Sequence, residues 1–174
     1  IYSVNVHTGA KRLIGRSYRT APKWSVNGKW AVMYDPIAQV WNKFDGATGK
    51  VVNISDVIGY PMFVESYDKP APAPAYGIAG WPADGNNVFL YDAYDWWKID
   101  LTGERQPECL TKGYGRKHGK SIRKMTSNID KHVFQKDEKV IVSLWDKDTM
   151  DEGVYQLDMK GRLRKLMEGN YVYT

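Results

Sequence analysis

Val40-Trp41-Asn42-Lys43-Phe44-Asp45, followed by Gly49, is one of four copies of the same phrase: an aromatic or apolar run closing on Asp or Asn, then a Gly-containing turn. The others are Ile1-Tyr2-Ser3-Val4-Asn5 with Gly9, Trp96-Trp97-Lys98-Ile99-Asp100 with Gly103, and Val154-Tyr155-Gln156-Leu157-Asp158 with Gly161. The glycines stand 40, 54 and 58 residues apart (9 to 49, 49 to 103, 103 to 161). Such spacing suits four-stranded propeller blades of roughly 40–50 residues carrying loop insertions. A second phrase is offset from the first: Asn27-Gly28 leads into Trp30 to Asp35, Asp84-Gly85 into Val88 to Asp92, and Asp137-Glu138 into Val140 to Asp146. Asn-Gly and Asp-Gly tolerate positive φ and favour tight hairpin turns, whereas Asp137-Glu138 lacks the glycine and predicts a longer turn.

These phrases predict an all-β chain: a partial β-propeller of about three four-stranded antiparallel blades plus an outer half-blade. The half-blade covers residues 1–16 and the blades 22–54, 76–111 and 130–168, all in one partial domain spanning 1–174. No segment carries an amphipathic helix of ten or more residues. Residues 55–75 form an insertion ending Lys69-Pro70-Ala71-Pro72-Ala73-Pro74-Ala75, whose alternating prolines oppose regular strand pairing. Its apolar start, Val57 to Val64, predicts that it folds back over a neighbouring surface, as a lid, a docking element or a cover for a sheet edge.

With 174 residues, 43% hydrophobic and 13% aromatic, the chain suffices for one substantial core. No apolar run approaches the ~18 residues of a membrane helix, and no signal pattern opens the sequence. Ile1 begins inside a strand phrase, which predicts a segment cut from something longer. Net charge is +5, with basic residues concentrated at Lys112, Arg116, Lys117, Lys120, Arg123 and Lys124 and again at Lys160, Arg162, Arg164 and Lys165. The first group is read as an inter-unit loop and the second as alternating along a strand, so both predict solvated surface and no nucleic-acid partner.

Chemistry-bearing patterns are few. Gly113 to Ser121 imitates a phosphate loop, but its first glycine is one residue out of register and no strong helix follows. Gly15-Arg16-Ser17-Tyr18-Arg19 and Gly119-Lys120-Ser121-Ile122-Arg123 end in Arg where a nucleophile elbow needs Gly. His7, His118 and His132 lack metal-ligand spacing, and Cys109 reads as a small buried hydrophobe. The aspartates recur at strand ends, where they predict turn capping rather than paired-carboxylate hydrolysis. Trp24, Trp81, Trp96, Trp97 and Trp145 read as core, with Trp96-Trp97 necessarily pointing to opposite faces of a strand. No catalytic, cofactor or metal residue is assigned, and ligand-binding residues stay open.

Trp81-Pro82-Ala83-Asp84-Gly85, Val88 to Asp92, Trp96 to Asp100 with Thr102-Gly103, and Leu110-Thr111 with Gly113 to Lys117 resemble the N-terminal β-propeller of bacterial prolyl oligopeptidase family serine peptidases. So does the Pro-rich insertion followed by Tyr76 to Trp81. The resemblance covers nearly all of the chain. It implies a non-catalytic segment that caps and gates an α/β-hydrolase domain lying C-terminal to these residues, with peptide substrates and a periplasmic or secreted parent. The catalytic triad would lie outside this chain, and no Glu-Glu pair suggests a dipeptidyl peptidase. The alternative is a stand-alone propeller module binding a carbohydrate or protein ligand. Three units and a half cannot close a ring, which predicts self-association of the open arc.

Overall fold

The computed structural model describes residues 1–15, 21–125 and 132–169. Among the described residues the chain is nearly all β and forms four sheets. Strands β1 (Tyr2–Val4) and β2 (Lys11–Leu13) make a two-stranded hairpin. β3 (Lys23–Trp24), β4 (Trp30–Asp35), β5 (Val40–Asp45) and β6 (Val51–Asn53) form an antiparallel four-stranded sheet in chain order. β7 (Ile78–Pro82), β8 (Asn87–Tyr91), β9 (Trp96–Asp100) and β10 (Glu108–Cys109) repeat that order.

The period of two along each strand sends alternate residues to opposite faces, and each face meets a different neighbour. In β4, Ala31 and Met33 pack with Ile14 and Phe44 towards the first hairpin, while Val32 and Tyr34 pack into the layer between the first and second four-stranded arrays. In β8, Val88 and Leu90 enter that same layer, and Phe89 and Tyr91 enter the next. Trp96 and Trp97 part in the same way: Trp96 is fully buried on one side, while Trp97 packs on the other. Stacked sheets buried on both faces explain why aromatic and β-branched residues fill consecutive positions.

The last array departs from the expected third unit at 130–168. After a short helix α1 (Tyr114–Lys117), strand β11 (Lys120–Lys124) supplies its first strand, pairing with β13 (Lys139–Asp146), then β14 (Glu152–Asp158) and β15 (Leu163–Gly169). The segment Val133–Phe134, β12, joins the preceding sheet instead, parallel to β7. Ile122 is the reason that so basic a segment becomes a strand: it is fully buried opposite Leu144, whereas its charged neighbours find partners at the strand's margins. The parallel addition of β12 depends on Gly80, whose φ is +155° and where a Cβ would stand 2.3 Å from the Phe134 ring and 2.7 Å from the His132 carbonyl. The predicted blade start at 130 and 131, and the end of the half-blade at 16, lie outside the described residues.

Candidate functional site: a strapped apolar cleft

The insertion between β6 and β7 is an ordered strap. It opens with one helical turn, Asp56–Ile58, and buries Ile58 and Met62 in the layer between the β3–β6 sheet and the sheet that contains β7–β10. Phe63 bridges to Ala75, the Val64 N–H donates to the Pro74 carbonyl at 2.8 Å, and the Tyr76 N–H donates to the Met62 carbonyl at 3.2 Å. Prolines 70, 72 and 74 have no N–H, so every second residue of the returning limb offers a carbonyl without a donor. The Ala73 carbonyl, between two of them, accepts the Tyr34 hydroxyl at 3.0 Å. Burial, with the nearby Asp35 charge adding, pushes the Tyr34 hydroxyl up to about 12.

Under the strap lies a cleft of about 660 Å³, within the range of ligand pockets. Its walls come from Val32, Tyr34 and Trp41 of the first four-stranded sheet and from Ile78 and Trp81 of β7, and the strap contributes Tyr67, Pro72 and Pro74. Lys23 and His132 also line it, and among the described residues no Asp or Glu does. The Trp41 indole N–H is buried with no acceptor among the described residues. An unsatisfied buried donor of this kind costs roughly 1–3 kcal/mol.

The strap's first limb is fixed by a charged network at the β8–β9 turn. Asp95, almost fully buried, accepts from the Thr111 hydroxyl at 2.6 Å and from the N–H groups of Gly115 and Arg116 at 2.9 and 3.0 Å. Asp92, also buried, accepts from the N–H of Tyr94 at 2.7 Å, the Trp97 indole at 3.1 Å and the Arg116 guanidinium at 3.0 Å. Arg116 in turn lies 3.9 Å from the centre of the Tyr60 ring on the strap and 5.0 Å from that of Tyr94. Gly115 is required here, because a Cβ would come within 2.6 Å of the Lys120 carbonyl and 2.7 Å of the Tyr94 carbonyl. Arg123 donates to the carbonyls of Ile122, Asp92 and Ala93 and packs against the rings of Tyr76 and Tyr91, and burial lowers its pKa. Arg116, through its ion pair with buried Asp92, and Arg123 are therefore structural struts, a correction to the solvated loop expected from their charge.

The other sequence candidates are dispersed. The phosphate-loop lookalike splits into α1 and the start of β11, and Lys120 pairs with Glu168 at 2.6 Å. Asp35, Asp45, Asp100, Asp146 and Asp158 each accept N–H groups two or more residues ahead, as the capping role requires. The Thr48 N–H, aided by Ala47, holds the Asp45 carboxyl below the usual range, and the Asp148 N–H does the same for Asp146. Cys109 is partly buried in β10, where its Sγ accepts the Gly113 N–H at 3.2 Å. No cluster of three or more His, Cys, Asp or Glu able to hold a metal occurs among the described residues. Gly15-Arg16-Ser17-Tyr18-Arg19 lies largely outside them. Trp81 reaches the cleft as well as the core, and half-exposed Trp24 lines it too. Lys23, Trp41, Tyr67 and His132 carried no local signal, since they meet only through sheet stacking and the strap.

Comparison with solved structures places this arrangement. A protein of Agrobacterium tumefaciens described as a "putative TolB" superposes with a TM-score of 0.52 at 16% identity, over 97% of this chain and 57% of that one. The fold is β-propeller-like. The calcium-binding protein regucalcin from Agrobacterium tumefaciens (TM-score 0.37, 12% identity, 85% of this chain, 42% of that one) and TolB from Acinetobacter baumannii (0.30, 14%, 97% and 48%) match more loosely and add nothing to that assignment. The chain thus spans little more than half the length of the first of these neighbours. The likeness supports the fold alone and does not extend to the prolyl oligopeptidase family. No protein-family model matches the chain, and neither does any curated protein. No helix among the described residues is long and apolar enough to cross a membrane.

Proposed function

We propose that this chain is a non-catalytic propeller segment that caps the α/β-hydrolase domain of a prolyl oligopeptidase-like serine peptidase and gates peptide access to it, in a periplasmic or secreted parent. The observation that carries this reading is the strap-roofed apolar cleft. Its roof is an insertion anchored at its base by buried Ile58 and Met62, whose returning limb reaches the sheets through the Tyr34 to Ala73 hydrogen bond, over a space of peptide dimensions. Segments of this kind gate access in many enzymes.

The test is made on the parent protein. Its reading frame is expected to encode a Gly-x-Ser-x-Gly elbow followed by Asp and His. Replacing residues 66–72 by a short Gly-Ser link is expected to raise cleavage of long peptides several-fold relative to dipeptide substrates. A parent without that elbow, or one whose length preference is unmoved by the replacement, overturns the proposal.

A second reading, a stand-alone module for a carbohydrate or protein ligand, draws on Trp24, 49% exposed and lining the cleft beside Trp41 and Trp81. Ligand binding by a parent that contains no hydrolase domain would favour it. Under either reading the end faces of the arc, with Tyr2, Val4 and Leu13 exposed at one end and Ile141 and Met167 at the other, are surfaces for self-association or for further blades.

A further inference from the structure

Both limbs of the strap are gripped from one turn. Tyr60 follows the helical turn at the strap's entry and Tyr76 closes its return, and each ring meets an arginine, one from α1 and one from β11. The Arg116 guanidinium lies 3.9 Å from the centre of the Tyr60 ring and the Arg123 guanidinium 5.4 Å from that of Tyr76. The same residue holds both arginines: Arg116 donates to the Asp92 carboxylate at 3.0 Å and Arg123 to the Asp92 carbonyl at 2.7 Å. Trp97, whose indole donates to that carboxylate at 3.1 Å, adds a ring contact to Tyr60 at a centroid separation of 6.0 Å. Within the strap the two limbs are bonded to each other, the Val64 N–H to the Pro74 carbonyl and the Tyr76 N–H to the Met62 carbonyl. A change at either ring is therefore felt by both limbs.

We propose that Asp92, Arg116 and Arg123 form a clasp that couples the closed position of the strap to the seating of the last array on the second four-stranded array. Ile58 and Met62 anchor the strap's base by apolar burial, which has no preferred direction. An aromatic face against a planar guanidinium does have one, and so fixes where the limbs lie. β11 pairs with β13, and its Ile122 N–H donates to the Tyr94 carbonyl at 2.7 Å beside the clasp. Loosening of the last array moves the arginines and with them the roof of the cleft; by linkage, displacing the strap loosens β11. The clasp holds whatever the cleft admits, so it goes beyond the gating reading without resting on it.

Amide hydrogen exchange on the full chain tests it, read at Val64 and Tyr76 in the strap and at Ile122 in β11, with the Leu101 amide, bonded to the Asn86 carbonyl, as reference. Tyr60 is 44% exposed, so its replacement leaves the core intact. Tyr60→Leu is expected to speed exchange about fivefold at the three test amides and to leave Leu101 unchanged. Tyr60→Phe keeps the ring and is expected to leave all four as they are. Arg116→Lys keeps a charge beside Asp92 but loses the planar group; it is expected to act like Tyr60→Leu, and the double variant to go no further than either alone. Unchanged exchange at Val64 and Tyr76 in Tyr60→Leu, an equal rise in Tyr60→Phe or at Leu101, or additive effects in the double variant overturns the clasp. A rise confined to the strap, with Ile122 unmoved, overturns its coupling to the last array. Strap replacement in the parent reads gating separately: an unmoved length preference beside coupled exchange removes the gating reading and keeps the clasp, and the opposite pair of results removes the clasp alone.

Discussion

Asp92 and Asp95 stand three residues apart in one turn and do different work. Asp92 behaves like the other strand-end aspartates, accepting the N–H groups just ahead of it, and adds an ion pair to Arg116. Asp95 reaches forward to Thr111, Gly115 and Arg116, so it ties the β8–β9 turn to the connection that leads into β11. Asp95→Ala strands a hydroxyl and two backbone N–H groups in a buried site, and is expected to cost about 2–4 kcal/mol in urea denaturation. Asp95→Asn, which keeps one carbonyl acceptor, is expected to cost less. Capping by Asp35, Asp45 and Asp158 was legible in the sequence because it is local: an acceptor two residues before a free N–H needs nothing else. The role of Asp95 was not, since its partners lie 16 to 21 residues away. Tyr34 yields a prediction of the same scale. Its raised pKa means that the unfolded chain ionises first, so the folded state keeps its full advantage below pH ~10 and loses it as pH rises towards about 12. Alkaline titration of stability is expected to show a decline in that window, reduced in Tyr34→Phe.

At the scale of elements, the informative case is the pair β11 and β12. Lys120 to Lys124 carries three cations in five residues, which reads as loop, and Val133–Phe134 sits next to the run that becomes β13, which reads as the start of a unit. The sheet reverses both. Ile122 is the single apolar position that the layer between the second and third four-stranded arrays requires from β11, and the cations flanking it find acceptors in neighbouring loops and strands. Phe134 packs against Phe89 and Trp96 at centroid separations of 6.2 and 6.3 Å, which draws β12 to the edge of β7. Only a residue without Cβ at position 80 allows that approach. Gly80→Ala is therefore expected to detach β12 and destabilise the chain by about 1–3 kcal/mol, measured by thermal denaturation, with lost protection of the Trp81 amide in hydrogen exchange.

For the whole molecule, the hairpin and the three larger sheets stack through three apolar layers, and among the described residues they do not close on themselves. In the sheets with two covered faces the inner strands β4 and β8 are apolar at nearly every position, whereas the outermost surfaces retain exposed Tyr2, Val4, Met167 and Ile141. An arc with such ends is expected to associate reversibly as concentration rises. Multi-angle light scattering on the full chain checks this, a constant monomer mass at high concentration being the contrary result.

The sequence by itself determined the all-β class, the repeated four-strand phrase, the capping aspartates and the opposed faces of Trp96 and Trp97, because turn chemistry and the period of two act over a few residues. Tertiary structure alone decided which strand opens the last array, where the proline-rich strap lands, and that Lys23, Trp41 and His132 share one cleft. Those outcomes rest on contacts between residues up to about a hundred positions apart, where burial of an apolar side chain such as Ile122 or Phe134 outweighs the local signal of the charges around it.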